Sequence, residues 1–499
     1  MFRSVRSTVG LTLLGLGTVA HAQTAAPVRP PKVPPIQGPM SRPTVARAAE
    51  KAVAATKETT SGFAYRNATT PPAPGWTGPV FQLSHDYPQK DPGTCPANVC
   101  TWLSNKKVTF DQTPGEKTQT QWSPEWAQYM QQLLDYVREG QDLQLDNQVG
   151  WQVKVNGNTR WFHMPWMAYD TKTGREFVHG LTNERTAQIS DFLGEQLVDE
   201  GLNKLSLSAT KETAQGYETW AFGVYNEWGG YAIGRSWNTD GTPRIDKNHN
   251  GGPQPAGLPF PEGTLVAKLL FTTATPKDVP YLEGSPVWQA DRHQTKGTLF
   301  LCERQVQEVR LIQLDVAVVD KSSPTRWVFG TFAYNGKLKG KTVWDRLEPV
   351  GVQWGNDPWS SPAAAKADSL PIVQSVLNTK IGTYQHFGCN NRLAGPVDNK
   401  LSSCMACHAN GYTPQAGVAS PSGSNTIPPI FGFPGQCTTN SVDNANYFTN
   451  NQFPMAYAGG QYPNLMNMDT SLQMWVAFLQ YGQFNQFNQP EACVNPSGT

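Results

Sequence analysis

The sequence predicts a mainly β chain: a β-sandwich of jelly-roll-like type with a few helices, followed by a small, irregular α-helical domain at the C-terminal end. Three observations predict it. From about residue 217 apolar side chains recur with period two in at least five separate runs. The 45 glycines and 40 prolines fall largely between such runs, and charged residues are only 16% of the chain, which suits a loop-rich exported β protein better than a helical bundle. After residue 386 the alternation stops, and an amphipathic pattern near the end closes the chain. At 499 residues the chain exceeds one ordinary core, so two or three domains are expected.

The first element is a signal peptide over residues 1–22. Arg3 and Arg6 form its positive end, an apolar run extends from Val9 to Ala20, and Ala20-His21-Ala22 is a small-residue cleavage site. That run is too short to span a bilayer as a helix, and no later stretch approaches ~20 uncharged apolar residues. No transmembrane segment is expected. Forty basic and 39 acidic residues leave a net charge of +1 without a basic cluster, which argues against nucleic acid or an anionic membrane as partner. Residues 23–60, rich in Pro and Ala, form a disordered tether.

A β-rich domain is expected over 61–385, with helices near 123–139 and 186–200. In "SPEWAQYMQQLLDYVREG", Ser123 is placed to cap, Pro124 suits the first helical position and Gly140 the end, while Trp126, Met130, Leu133, Leu134 and Val137 share a face. In "TAQISDFLGEQLVDEG", Ile189, Phe192, Leu193 and Leu197 align in the same way. "YETWAFGVYNEWGGYAIGRSW" reads as two strands about a Gly229-Gly230 turn. "TLVAKLLFTTATP", "EVRLIQLDVAVVD", "RWVFGTFAYNG" and "LEPVGVQWGND" continue the β pattern. Within "EVRLIQLDVAVVD", Gln313 and Asp315 interrupt the apolar alternation, as in a strand partly covered on both faces.

The last domain, 386–499, begins with "FGCNNRLAGPVDN" and ends with "DTSLQMWVAFLQYGQF", a helix for which Asp469 is the expected cap. Between them stands "SSCMACH", with Cys404-x-x-Cys407-His408. Its spacing is the attachment signature of c-type haem: both sulfurs reach the porphyrin vinyl groups from one helical turn, and the adjacent histidine ligates iron. With eight cysteines and eight histidines in the chain, chance would produce the pattern in about two of a thousand such sequences. A redox or disulfide Cys-x-x-Cys leaves His408 unexplained. The motif occurs once, so one covalently attached haem c is expected.

The sixth iron ligand separates an electron carrier from a haem enzyme or sensor. Met455, in a Pro/Gly loop before the last helix, is the first candidate and Met466 the second; Met468 is close by, Met474 is in core register with Phe478, and His386 is a third candidate. Among the other cysteines, Cys95 and Cys100 are expected to pair locally, Cys437 with Cys493, and Cys302 with Cys389. His163 and His179, with Glu184 and Arg185 close behind, could form a second acid-base or metal site; buried structural histidines are the more common use. Trp220, Trp228, Trp237, Trp288, Trp327 and Trp354 are candidates for a sugar-stacking groove, against core packing as the ordinary role of strand tryptophans.

A signal peptide, a long β-rich part with "GREFVHGLTNER" and "VFGTFAYNG", and one "SSCMACH" near the end together resemble bacterial cytochrome c family proteins of Gram-negative organisms. The resemblance covers most of residues 60–490 and transfers haem attachment to Cys404, Cys407 and His408. The order of haem motif, long loop and closing helix is that of class I cytochromes c, and the signal peptide places the product in the periplasm, where a redox partner protein is expected. Single-electron transfer is the first function expected. A peroxidase- or oxygenase-like haem enzyme with a small-molecule substrate, or a haem sensor, is the alternative, each with an open iron position.

Overall fold

The computed structural model describes residues 75–77, 84–111, 113–114, 121–146, 150–167, 169–170, 174–175, 181–187, 217–246, 254–296, 299–360, 371–383, 387–399, 402–409, 411–414, 448–450 and 465–487. The expected signal peptide and tether, most of the 186–200 helix, and His179, His386, Cys437, Met455 and Cys493 lie outside them. The described residues are mainly β with few helices, and none of these helices is long and apolar enough to cross a membrane.

In chain order the helices are α1 (Thr101–Ser104), α2 (Pro124–Arg138), α3 (Glu227–Ser236), α4 (Cys404–Ala409) and α5 (Leu472–Phe487). The principal strands are β1 (Thr182–Ala187), β2 (Tyr217–Tyr225), β3 (Leu265–Thr272), β4 (Val287–Lys296), β5 (Leu299–Val319), β6 (Trp327–Tyr334), β7 (Leu347–Gln353), β8 (Ser375–Leu377), β9 (Tyr412–Pro414) and β10 (Leu465–Asn467). The first eight build one antiparallel sheet in the order β8-β7-β6-β5-β3-β2-β1, with β4 paired to the first half of β5. Strand order thus nearly follows the sequence. β9 and β10 form a separate pair.

Register places Gly223, Lys268, Asp315, Thr331 and Gly351 in one row across β2, β3, β5, β6 and β7, so their Cα–Cβ directions share a face. That face carries α4, the start of α5 and the loop before α4: a Cβ on Gly223 would strike Gln473 of α5, and one on Gly351 would come within 3.2 Å of Leu393. The opposite face carries α2, whose Met130 Sδ would lie 2.7 Å from a Cβ on Gly330. Sheet burial on both faces explains why β6 is buried at every position. Around α2, Trp126 stacks on Trp354 at 5.0 Å and Phe110 packs against both.

The buried cluster continues past residue 385. Met405, Met466, Met474 and Phe478 belong to the same buried cluster as Trp220, Phe271 and Val316.

Helix α2 forms as its pattern predicts, with Pro124 in the first turn. Ser123 does not cap through its side chain; its hydroxyl bonds Glu125 Oε2 at 2.7 Å. At the far end Asp469 does not cap α5 either. Its carboxylate accepts from the Phe260 N–H at 2.7 Å and from Arg326 at 3.2 Å, and Ser471 Oγ caps the helix by accepting from Met474 N at 3.1 Å. Thr186 and Ala187, expected to open a helix, are the last residues of strand β1.

The largest departure is at 227–236, expected as a Gly229-Gly230 turn leading into a second strand and found as helix α3. Asn226 decides it. Its Oδ1 accepts from the N–H groups of Gly229 and Leu265, and its Nδ2 donates to Gly263 O at 2.8 Å, so one buried amide caps α3 and ties it to β3. Gly229 and Gly230 make no turn; they allow close approach, since a Cβ on Gly230 would lie 2.5 Å from the Phe162 ring. Asn226→Ala orphans three buried partners and is expected to cost about 2–3 kcal/mol. An unchanged urea midpoint would count against this assignment of the cap.

Candidate functional site

The motif residues come together because Ser402 and Ser403 start a helix on the sheet face. Ser403 Oγ accepts from Ala406 N at 3.2 Å, and its carbonyl accepts from Cys407 N at 2.9 Å, the two bonds of an N-cap. Gln353, at the end of β7, holds this cap in place: its Nε2 donates to Ser403 Oγ at 3.1 Å and its Oε1 accepts from Met405 N at 3.1 Å. Leu393 O accepts from Cys404 N at 2.9 Å.

The preceding loop is fixed by Arg392, which is wholly buried. Its guanidinium donates to the carbonyls of Asn356 and Asp357 at 2.9 Å, Cys389 at 3.1 Å and Ser360 at 3.4 Å, and lies 4.4 Å from the Phe448 ring centre. Burial lowers its pKa to about 10, which leaves it charged at neutral pH.

His408 points at the sheet, with its ring centre 4.7 Å from that of Phe329. Its Nδ1 lies 3.0 Å from Thr470 O, and because a carbonyl only accepts, Nδ1 carries the proton. The Nε2 lone pair is thereby left for a metal, the second-partner arrangement that orients ligand histidines. Burial, and then the positive charge of Lys268, lowers the His408 pKa to about 4, so the imidazole is neutral at physiological pH.

Cys404 is half-buried and Cys407 exposed; neither forms a disulfide. The Cys404 Sγ sits 4.0 Å from Thr331 Oγ1 and 3.9 Å from Asp398 Oδ2. Burial, with Asp398 and Asp315 beside it, raises its pKa well above the usual thiol value, so it is a thiol rather than a thiolate.

Beneath the motif lies a polar patch in the middle of the sheet. Thr331 donates to Asp315 Oδ1 at 2.8 Å. Gln313 Nε2 stands between two carboxylates, 2.8 and 2.9 Å from the oxygens of Asp315 and 3.0 Å from Asp398 Oδ2, which also accepts from Gly395 N at 2.7 Å. Burial first, and then the neighbouring Asp398, raises the Asp315 pKa to about 8, against smaller opposing effects of Thr331, Gln313 and Lys268. Val266, Lys268 and Asp315 are only half-buried although β3 and β5 are central strands. A partly open floor therefore adjoins Cys404, Cys407 and His408.

These residues fit a covalently held haem. Two thiols at the required spacing stand on one helical turn, the imidazole keeps its Nε2 lone pair, and the adjoining floor is open. Among the described residues no group of three or more His, Cys, Asp or Glu side chains forms a metal cage; in a haem-loaded protein Cys404 and Cys407 would hold the porphyrin and His408 the iron.

Of the methionine candidates, Met466 is fully buried in β10, in the same core as Met405, Met468 and Met474. Met474 is core, as its register predicts. Cys95 and Cys100 form the expected disulfide. Cys389 is disulfide-bonded as well; the expected Cys302–Cys389 and Cys437–Cys493 pairings involve side chains outside the described residues.

His163 is brought beside His85, with ring centres 6.4 Å apart and both rings buried. The Ser84 N–H donates to His163 Nδ1 at 3.3 Å. The six candidate tryptophans are buried, Trp228 least so at 5% exposure, and three of them donate their indole N–H to backbone carbonyls, as core tryptophans do.

Sequence reasoning missed Lys268, Thr331, Gln353 and Asp398. The signal available was a lone lysine in "TLVAKLLF" and the Gln313, Asp315 break in "EVRLIQLDVAVVD", each a polar residue on an otherwise apolar strand. Comparison with protein families, with curated proteins and with solved structures finds no match.

Proposed function

We propose that the chain is an exported monohaem c-type cytochrome, holding one haem c through Cys404 and Cys407 with His408 on the iron, and passing single electrons to or from a partner oxidoreductase in the periplasm. The observation that carries this reading is the Nδ1 bond from His408 to Thr470 O on a helix that also presents both thiols. The haem, when bound, supplies a one-electron iron couple. The chain's own part is to orient the imidazole, keep it neutral, and bury one face of the site against Phe329 and Thr331. In fold terms the proposal is a mainly β body of sandwich type carrying a cytochrome c-like segment around α4 and α5.

A second reading is supported by the half-open floor at Val266, Lys268 and Asp315. A small molecule reaching the iron there would make the protein a peroxidase- or oxygenase-like haem enzyme, or a haem sensor. Met455 and Met466 are the ligands that would close the iron under the first reading.

The test is covalent haem itself. Protein from the periplasm is expected to retain haem through acid-acetone extraction, and the Cys404→Ala, Cys407→Ala double variant to lose all of it. Haem that extracts freely from the unaltered chain would end the proposal. Ferric and ferrous spectra with carbon monoxide then separate the readings: no carbon monoxide shift means a closed carrier, and a ready shift means an open iron.

A further inference from the structure

A cavity of about 290 Å³ lies at the end of β6, near the lower limit for small-molecule sites. Gln144 and Asp146 line it from the stretch after α2, Ser285 from the turn before β4, Tyr334 from the last position of β6 and Arg346 from the turn before β7. None of these residues belongs to the haem site.

The walls are held by bonds between distant segments, so the cavity is a fixed part of the fold. Val343 N donates to Leu143 O at 2.9 Å, Gln144 Nε2 to Lys341 O at 2.9 Å, and the indoles of Trp344 and Trp288 to Asp142 O and Leu145 O, each at 2.8 Å. Leu145 is fully buried in the left-handed region, with φ +51°, a conformation a bulky side chain adopts only when its surroundings impose it. The residues on either side of it both face the cavity. Gly284, with φ +70°, gives the guanidinium room: a Cβ there would lie 2.9 Å from Arg346 Nη1.

Arg346 is under-used for an arginine in such a place. Its side chain donates only to the Tyr334 hydroxyl, at 3.2 Å, and its Nε–H is buried with no hydrogen-bond partner. Arg392 shows what a purely structural arginine does in this fold, serving four carbonyls. An unsatisfied buried donor is costly, and a guanidinium fork matches a carboxylate. Asp146 lines the same cavity, and no ion pair joins it to Arg346. Between these opposite charges the lining includes the apolar Pro286, Val287 and Val343.

We propose that this cavity binds a small zwitterion of the amino-acid class, with its carboxylate on the Arg346 guanidinium, its ammonium group at Asp146 and a short apolar side chain against Val287 and Val343. The Ser285 hydroxyl, which donates to Leu311 O, keeps its lone pairs to accept from the same ammonium group.

The experiment is isothermal titration calorimetry of the whole protein at neutral pH against each of the standard L-amino acids. At least one with a small apolar side chain is expected to bind with a Kd in the millimolar range or tighter. The matching acid without its amino group, and the matching amine without its carboxylate, are each expected to bind at least about tenfold more weakly, as loss of a charged hydrogen bond implies. Arg346→Met and Asp146→Asn should weaken binding of the amino acid by a similar factor. Asp146 is exposed, so its variant should keep the urea midpoint of the unaltered chain. Should Arg346→Met fail to fold, Asp146→Asn and the two analogues still decide the matter. Absence of binding across the amino acids overturns the proposal. So does a hit that Asp146→Asn leaves unchanged, or that its deaminated acid matches in affinity. Covalent haem is read separately, and either result there leaves this cavity's assignment as it stands.

Discussion

Replacing Arg392 by methionine is expected to destabilise the fold by about 3–5 kcal/mol, the range for removing one side of a buried charged network. Methionine fills much of the volume but donates nothing. The carbonyls of Asn356, Asp357, Ser360 and Cys389 lose a charged donor at one stroke. The Asp357 carboxyl also loses a favourable charge. Its pKa is already raised to about 6, chiefly by burial, and is held down by the Val373 and Gln374 N–H groups and by Arg392. Lysine is expected to recover little, since a point charge cannot serve four acceptors arranged around a planar fork. Urea unfolding monitored by tryptophan fluorescence measures the loss. Because Leu393 O holds Cys404 N, the same variants are expected to attach haem poorly. A midpoint within experimental scatter of the unaltered protein would remove Arg392 from the account.

The second large effect is with pH. Burial lowers the pKa of His85 to about 4 and that of His163 well below its usual value, His85 adding to the shift at His163. Both imidazoles are therefore neutral in the folded protein while each takes up a proton near pH 6.5 once unfolded. The unfolded state binds more protons below that pH, so stability is fully present above about 6.5 and is lost as pH falls towards 4. Between pH 7 and pH 5 the expected loss is on the order of 2 kcal/mol for each imidazole. A proton on His163 Nδ1 would also displace the Ser84 N–H that occupies it. Unfolding midpoints at pH 7 and 5, compared with those of His85→Phe, test this. The variant should lose about half of the pH dependence, and a flat profile in the unaltered chain would contradict the buried neutral pair.

Local pattern carried much of this fold. The strands at 265–272, 327–334 and 347–353 and the helix at 124–138 follow from periodicity, because each buries a continuous apolar surface that its own sequence displays. Helix α3 was illegible for the opposite reason. Its Gly-Gly pair resembles a turn until Phe162 and Thr264 are seen pressing against it, contacts that no local window contains. The ribbon of β4 and the first half of β5 is full of polar residues such as Gln305, Gln307 and Glu308, and so hides among loops. The site divides in the same way. Cys404, Cys407 and His408 are adjacent and stand out by spacing, whereas Lys268, Asp315, Thr331 and Asp398 meet only through sheet register. Likewise, the neighbour that His163 acquires, His85, lies 78 positions earlier, where spacing offers no hint.

The start of α5 is tied to the sheet by Tyr225 with Ser471, 246 positions apart, and by Phe260 with Asp469, 209 positions apart. Thr470, between these two anchors, is the residue that orients His408. Closing chain loops of that length carries a large entropic cost before any contact repays it, and folds built on such contacts form slowly. The imidazole therefore acquires its orientation only when nearly the last residues of a long chain have docked. Until then the His408 ring lacks the carbonyl that fixes its tautomer, although Gln353 and Leu393 already hold the helix that carries it.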